Sequence, residues 1–249
     1  MTSSKPEKVY FYATCLVDVF YQEAGLDGIR LLEREGIEVI FLQGQTCCGQ
    51  PAHNSGYRRE AKAAAISQVK MFAEDIPVVL PSGSCAAMMK HHYPRLFADD
   101  QCLTEIQAFS GRVFELSEFL IRVLNVQLVD KGEPIRIAMH TSCHARREMG
   151  VAADAEQLLA QLANVELLDQ ARKTECCGFG GTFAVRHPEI SAAMVQDKSA
   201  AIEECGAQHL ISGDCGCLMN IQGNLEKQDC TLSSEHIASF VLKRTAHES

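Results

Sequence analysis

Two pairs of adjacent cysteines stand out as the chain's chemistry. Cys47-Cys48 lies within Thr46-Cys47-Cys48-Gly49-Gln50-Pro51, and Cys176-Cys177 lies within Glu175-Cys176-Cys177-Gly178-Phe179-Gly180-Gly181-Thr182-Phe183. A disulfide between adjacent cysteines is strained. Two neighbouring thiols can instead point at one cofactor, while glycines let backbone N–H groups approach it. Gly49, Gly178, Gly180 and Gly181 are therefore candidate cofactor-binding positions. They do not form a dinucleotide fingerprint, because the G-x-G-x-x-G spacing is absent.

The elements needed to position these pairs repeat. Cys15, Cys47/Cys48 and Cys85 correspond to Cys143, Cys176/Cys177 and Cys217, at offsets of 128, 129 and 132 residues. Each site follows a short apolar run rich in β-formers and precedes a helical pattern. Strands are expected over 9–12, 37–42, 77–80, 135–140, 165–168 and 209–211. Helices are expected over 57–75, 113–126, 153–163, 188–204 and, closing the chain over an exposed edge or face, 234–244. Alternating strands and helices imply βαβ units and a parallel sheet. The breaker run Asp130-Lys131-Gly132-Glu133-Pro134 separates the copies. The expected fold is α/β: two tandem pseudo-symmetric halves, 1–130 and 135–249, each a small parallel sheet flanked by helices. Ligands bind such sheets at the carboxyl ends of the strands, so the four cysteines of a half can meet there.

Four converging thiolates suit zinc or an iron–sulfur cluster. Close C-x₂₋₄-C knuckles of the structural-zinc kind are absent, and an adjacent pair with distant partners leaves room for a larger cofactor. Helix N-termini beside the cysteines would favour the thiolate form. The candidate ligands are Cys15, Cys47, Cys48 and Cys85 in one set, and Cys143, Cys176, Cys177 and Cys217 in the other. In the second set Cys215 competes with Cys217; aligning Ser82-Gly83-Ser84-Cys85 with Asp214-Cys215-Gly216-Cys217 on the glycine favours Cys217. Cys102, Cys205 and Cys230 fall outside the pattern and read as plain packing residues. His140 and His144 flank Cys143 and are candidates for a ligand or proton carrier; the favoured reading is a hydrogen-bonded strand-end residue and a solvated helix residue, and His91-His92 read as surface, with partner docking the alternative. Arg58-Arg59 and Arg146-Arg147 flank cysteine loops; they are candidates for a carboxylate or for cluster charge, or are simply solvated. No catalytic base, nucleophile or flavin motif stands out, so no catalytic residue is assigned.

Composition narrows the class. The 249 residues carry 23 Lys+Arg against 32 Asp+Glu, a net charge of −9, without a basic stripe. That argues against nucleic acid and an anionic membrane surface as partners. The N-terminal residues lack a signal-peptide pattern, and no apolar run is long enough to span a bilayer. The expected setting is the cytoplasm and not the membrane interior; there, twelve cysteines read as metal ligands rather than a disulfide framework.

Two copies of Cys…Cys-Cys-Gly…Cys resemble the cysteine-rich CCG domains of heterodisulfide reductase B subunits and of iron–sulfur subunits of glycolate and lactate oxidation. The segments Thr46–Ala52, Asn54-Ser55-Gly56-Tyr57 and Cys176–Phe183 are most similar to the lactate-utilisation protein A family, over nearly the whole chain. The resemblance implies one or two [4Fe–4S] clusters, electron transfer, and partnership with the other subunits of a complex oxidising L-lactate to pyruvate. The heterodisulfide reductase motif ends in C-x-x-C, whereas here Met88 and Asn220 stand at the fifth position. Four ligands per half suit an ordinary cubane cluster and weaken a disulfide-cleaving role. The alternatives kept are a zinc-binding structural module and a thiol–disulfide enzyme.

Overall fold

In a computed structural model, residues 5–246 are described. The first sheet contains β1 (Lys8–Phe11), β2 (Glu38–Ile40), β3 (Val78–Leu80) and β4 (Val113–Glu115), in the order β2-β1-β3-β4. The second contains β5 (Ile135–His140), β6 (Val165–Leu168), β7 (His209–Ser212) and β8 (Ser233–His236), in the order β6-β5-β7-β8. All six pairings are parallel, and helices flank both sheets. The expected α/β class and the two similar halves are thus present.

Strand alternation divides the core. Side chains of successive strand residues point to opposite faces. Val9, Phe11 and Val79 of the first sheet join Ile137, Met139 and Ile211 of the second in one central cluster. Tyr10, Tyr12, Val78 and Leu80 face an outer core of the first half, and Ala138 and Leu210 face an outer core of the second. The sheets therefore share a hydrophobic centre. Leu31 and Leu32 of the Gln22–Arg34 helix and Phe240 and Val241 of the closing helix, Ile237–Thr245, complete it.

Two expected helices are corrected. The stretch 113–126 begins as β4; only from Leu116 does the chain turn helical, with Glu115 capping the turn by accepting from the N–H groups of Ser117 (2.7 Å) and Glu118 (3.2 Å). Likewise β8 takes Ser233–His236, and the closing helix starts at Ile237, capped by His236 Nδ1 accepting from Ala238 N–H at 3.1 Å. That helix lies against the Gln22–Arg34 helix of the other half, where the Arg34 guanidinium donates to Thr245 Oγ1 at 2.7 Å. It therefore covers a helix face of the first half as well as its own sheet.

Candidate metal centre

Each sheet reverses its winding between its first and third strands. In β2-β1-β3-β4 the chain moves outward to one side and then returns to build the other. Such a switch point opens a crevice at the carboxyl ends of the strands. Cys15 follows β1 and opens a short helix, Cys15–Phe20; Cys85 follows β3 within the helix Gly83–Ala87. Cys47-Cys48 arrives on the loop after β2. The second half repeats the arrangement with Cys143 after β5, Cys176-Cys177 after β6, and Cys217 after β7 in the helix Cys215–Lys227.

The two crevices merge. One cavity of about 310 Å³ is lined by all eight candidate cysteines and by Cys215. Glycines shape both turns. Gly49 and Gly178 each take φ +84, in the left-handed region. Their N–H groups donate to Cys47 Sγ at 3.4 Å and Cys176 Sγ at 3.3 Å. A Cβ at Gly178 would stand 2.8 Å from the Ser191 carbonyl oxygen, so the backbone also approaches too closely for any other residue. Gly180 and Gly181, likewise at positive φ, line the cavity. Thr14, just before Cys15, takes φ +66 without being glycine, a strained backbone of the kind found at functional sites.

The sulfurs interact within each set. Cys48 Sγ lies 3.4 Å from Cys85 Sγ. Hydrogen bonds from Cys15 and Cys48, then from backbone N–H groups, hold the Cys47 thiol down at about 3. Those from Cys143 and Cys177, then from Gly178, hold Cys176 down at about 2. Cys15 and Cys143, the donors, are pushed up by the same contacts and then by burial. The duplicated sets are thus duplicated in charge: in each, the first cysteine of the pair is the ready thiolate. Outside the sulfurs, Tyr93 Oη donates to the Cys48 carbonyl (2.8 Å), and Asn220 Nδ2 to the Cys177 carbonyl (2.7 Å).

The halves are fastened across the cavity rim. Asp214 Oδ1 accepts from Ser82 Oγ (2.9 Å) and from the Ser84 N–H (3.0 Å). Ser55 and Thr182 hydroxyls meet at 2.6 Å, and His236 Nε2 donates to the Pro81 carbonyl at 3.1 Å. Asp214 gave no signal in the sequence beyond its place beside Cys215.

Several side chains sit otherwise than expected. His140 is 1% exposed, yet neither ring nitrogen has a hydrogen-bond partner. Burial, then the nearby Lys198 charge, pushes its pKa down to about 3. It is not the hydrogen-bonded strand end expected of it: Cys177 Sγ, Cys217 Sγ and an imidazole nitrogen lie within 4.8 Å of one another. His92 is half-buried. Its side chain is 16% exposed and its Nε2 meets Glu148 Oε2 at 2.7 Å, joining the halves. Cys215 packs beside Ala13 and Val17 of the first half, whereas Cys217 lies with Cys177 and His140. Cys102 packs against the first outer core, and Cys205 and Cys230 against that of the second half. None of Arg58, Arg59, Arg146 and Arg147 is among the residues lining the cavity. Arg58 donates to the Leu96 carbonyl, and Arg146 to the carbonyls of Lys173 and Thr174.

This donor set, thiols from three loops per half with an unpartnered buried imidazole beside one, is compatible with a metal or iron–sulfur site. Residues 9–90 and 137–222 both match the cysteine-rich (CCG) domain family. Lactate utilization protein A of Geobacillus sp. (strain WCH70) is 44% identical over 95% of this chain and 100% of its own length. The chain belongs to the lactate utilization protein A family. The Shouchella clausii (strain KSM-K16) protein of that description is 45% identical over 94% of this chain and 98% of its own. The one from Bacillus subtilis (strain 168) is 42% identical over 95% and 100%. Among solved structures, a hypothetical protein from Helicobacter pylori shares the fold, with a TM-score of 0.69 at 10% identity, over 98% of this chain and 50% of that one. Among the described residues, no helix is long and apolar enough to cross a membrane.

Proposed function

We propose that this protein is an iron–sulfur electron-transfer subunit of a multi-subunit complex that oxidises L-lactate to pyruvate. The observation carrying this reading is the meeting of two duplicated cysteine sets at one cavity; family membership supports the lactate context. Cys15, Cys47, Cys48 and Cys85, from the half 1–130, would hold one [4Fe–4S] cluster. Cys143, Cys176, Cys177 and Cys217, from 135–249, would hold the other. A bound cluster supplies reversible one-electron transfer. Cys47 and Cys176 offer thiolates without needing a base. The Gly49 and Gly178 N–H groups stabilise those sulfurs, which makes a centre bound there easier to reduce. Phe179, Leu16 and Pro51 along the cavity wall limit water beside it. The two electrons and two protons that leave lactate are removed at a site on another subunit; this chain accepts electrons only.

Anaerobically purified protein should contain about eight irons and matching acid-labile sulfide, with an EPR signal from coupled reduced clusters after dithionite. About four irons would confine the cofactor to one half, which Cys48→Ser and Cys177→Ser would identify. Stoichiometric zinc without sulfide would replace this reading with the structural zinc module.

A further inference from the structure

The geometry points to His140 as a nitrogen ligand of the metal centre in the C-terminal cysteine set, which makes the two duplicated sites chemically unequal. The inference rests on metal being bound there, and deepens the proposed function by assigning a donor outside the cysteine motif. An imidazole buried to 1% exposure with neither nitrogen partnered carries an uncompensated desolvation cost. The sulfurs nearby do not relieve it, since no hydrogen bond joins them to the ring. Yet Cys177 Sγ, Cys217 Sγ and an imidazole nitrogen lie within 4.8 Å of one another, so the ring can take the terminal position on one iron in place of one of the four proposed cysteines. A nitrogen–metal bond removes the penalty, and a borderline metal such as iron accepts imidazole and thiolate together.

The first half shows that the position is not intrinsically unsatisfied. Tyr12 precedes Cys15 by three residues, as His140 precedes Cys143. Tyr12 is also buried, but its hydroxyl donates to the Thr46 carbonyl. The partner side of the site differs as well. Gln68 and Lys198 occupy corresponding turns of the helices Arg58–Met71 and Pro188–Glu204. Gln68 bonds Thr46 Oγ1 at 2.6 Å, whereas the buried Lys198 ammonium donates to the Arg172 carbonyl. A neutral imidazole in place of one thiolate, and a buried cation nearby, both leave a metal centre less negative than four thiolates alone, and so easier to reduce. The C-terminal centre should therefore hold an electron at the higher potential, and the N-terminal centre at the lower.

Iron-loaded, dithionite-reduced protein grown with ¹⁵N-histidine in one batch and natural histidine in another tests this by pulsed EPR. A strong nitrogen hyperfine coupling that changes with the histidine isotope, and that disappears in His140→Gln with iron content unchanged, is the expected result. Isotope-independent spectra, or a coupling that survives in His140→Gln, would overturn the assignment. Should His140→Gln fail to load iron, His144→Gln decides, since His144 lines the cysteine cavity while His140 lies behind it, beside Cys177 and Cys217. A coupling retained there supports His140, and one lost there refutes it. Protein without iron or sulfide would sink the iron–sulfur reading alone. His140 is then read in the cobalt(II)-loaded protein, where a hyperfine-shifted imidazole N–H resonance absent from His140→Gln supports ligation. Its absence from the wild type, or its persistence in the variant, refutes it.

Discussion

Gly178 and Gly36 share a left-handed backbone, at φ +84 and +74, but differ in surroundings. A Cβ at Gly36 meets nothing within 4 Å, whereas at Gly178 it would strike the Ser191 carbonyl. Gly36→Ala should cost only the conformational penalty, about 1–2 kcal/mol. Gly178→Ala should cost more, by roughly 1–3 kcal/mol of overpacking, and should also lower metal content by displacing the Cys176-Cys177 turn. Urea denaturation and metal analysis of the two variants check both parts; equal losses would mean that close packing at Gly178 is unimportant. The cysteines and these glycines were legible in the sequence because type and spacing carry their chemistry, and because the pattern occurs twice. His140 was not. A histidine ending a strand ordinarily finds a partner, and only its surroundings reveal that both nitrogens lack one.

At the scale of elements, strands standing clear of a helical stripe were readable, three-residue β2 and β3 among them, and β5 and β6 fall where expected. The strands β4 and β8 were not. Each has three or four residues, carries polar groups, and runs directly into a capped helix. The apolar stripe of the following helix absorbs so short a strand. The closing helix carries its own test. Arg244 holds Asp130 bidentately, Nε to Oδ1 at 2.8 Å and Nη2 to Oδ2 at 2.7 Å, with the Asp130 side chain fully shielded from solvent. Arg244→Met leaves that carboxylate without its cation and should destabilise by about 3–5 kcal/mol, read from thermal or urea unfolding. Burial resists ionisation of Asp130, but hydrogen bonds from Arg244, Gly132 and Asn164 outweigh it and hold its pKa below the usual value. A depressed carboxylate pKa stabilises above the unfolded value, near 4, and that contribution disappears as pH falls through the lower folded value. Asp130→Asn should therefore flatten the acid limb of the stability profile below about pH 4 and leave its slope at neutral pH unchanged.

For the whole molecule, the repeat made two sheets legible but concealed how far they depend on each other. Sequence periodicity marks an apolar face without naming what covers it. Here Val9, Phe11, Ile137 and Met139 fill the same core, and Gly83 packs so tightly on the other half that an added Cβ would lie 2.4 Å from Ala145 Cβ. Gly83→Ala should cost about 1–3 kcal/mol and widen the rim held by Asp214, seen as faster alkylation of the cavity cysteines. Removing the residues from 233 onward should unfold both halves in one transition rather than spare the first; two separated calorimetric transitions would show the halves to be independent. The packing of Ile237–Thr245 on Gln22–Arg34 also has a consequence for biosynthesis. About 200 residues are translated between these two helices, on the order of 10–40 s of elongation. Throughout that interval the nascent first half lacks the helix that covers one of its faces. The cavity takes its lining from residues 14 to 217, so it is not complete until the second half has been made, and cofactor loading follows synthesis of both halves.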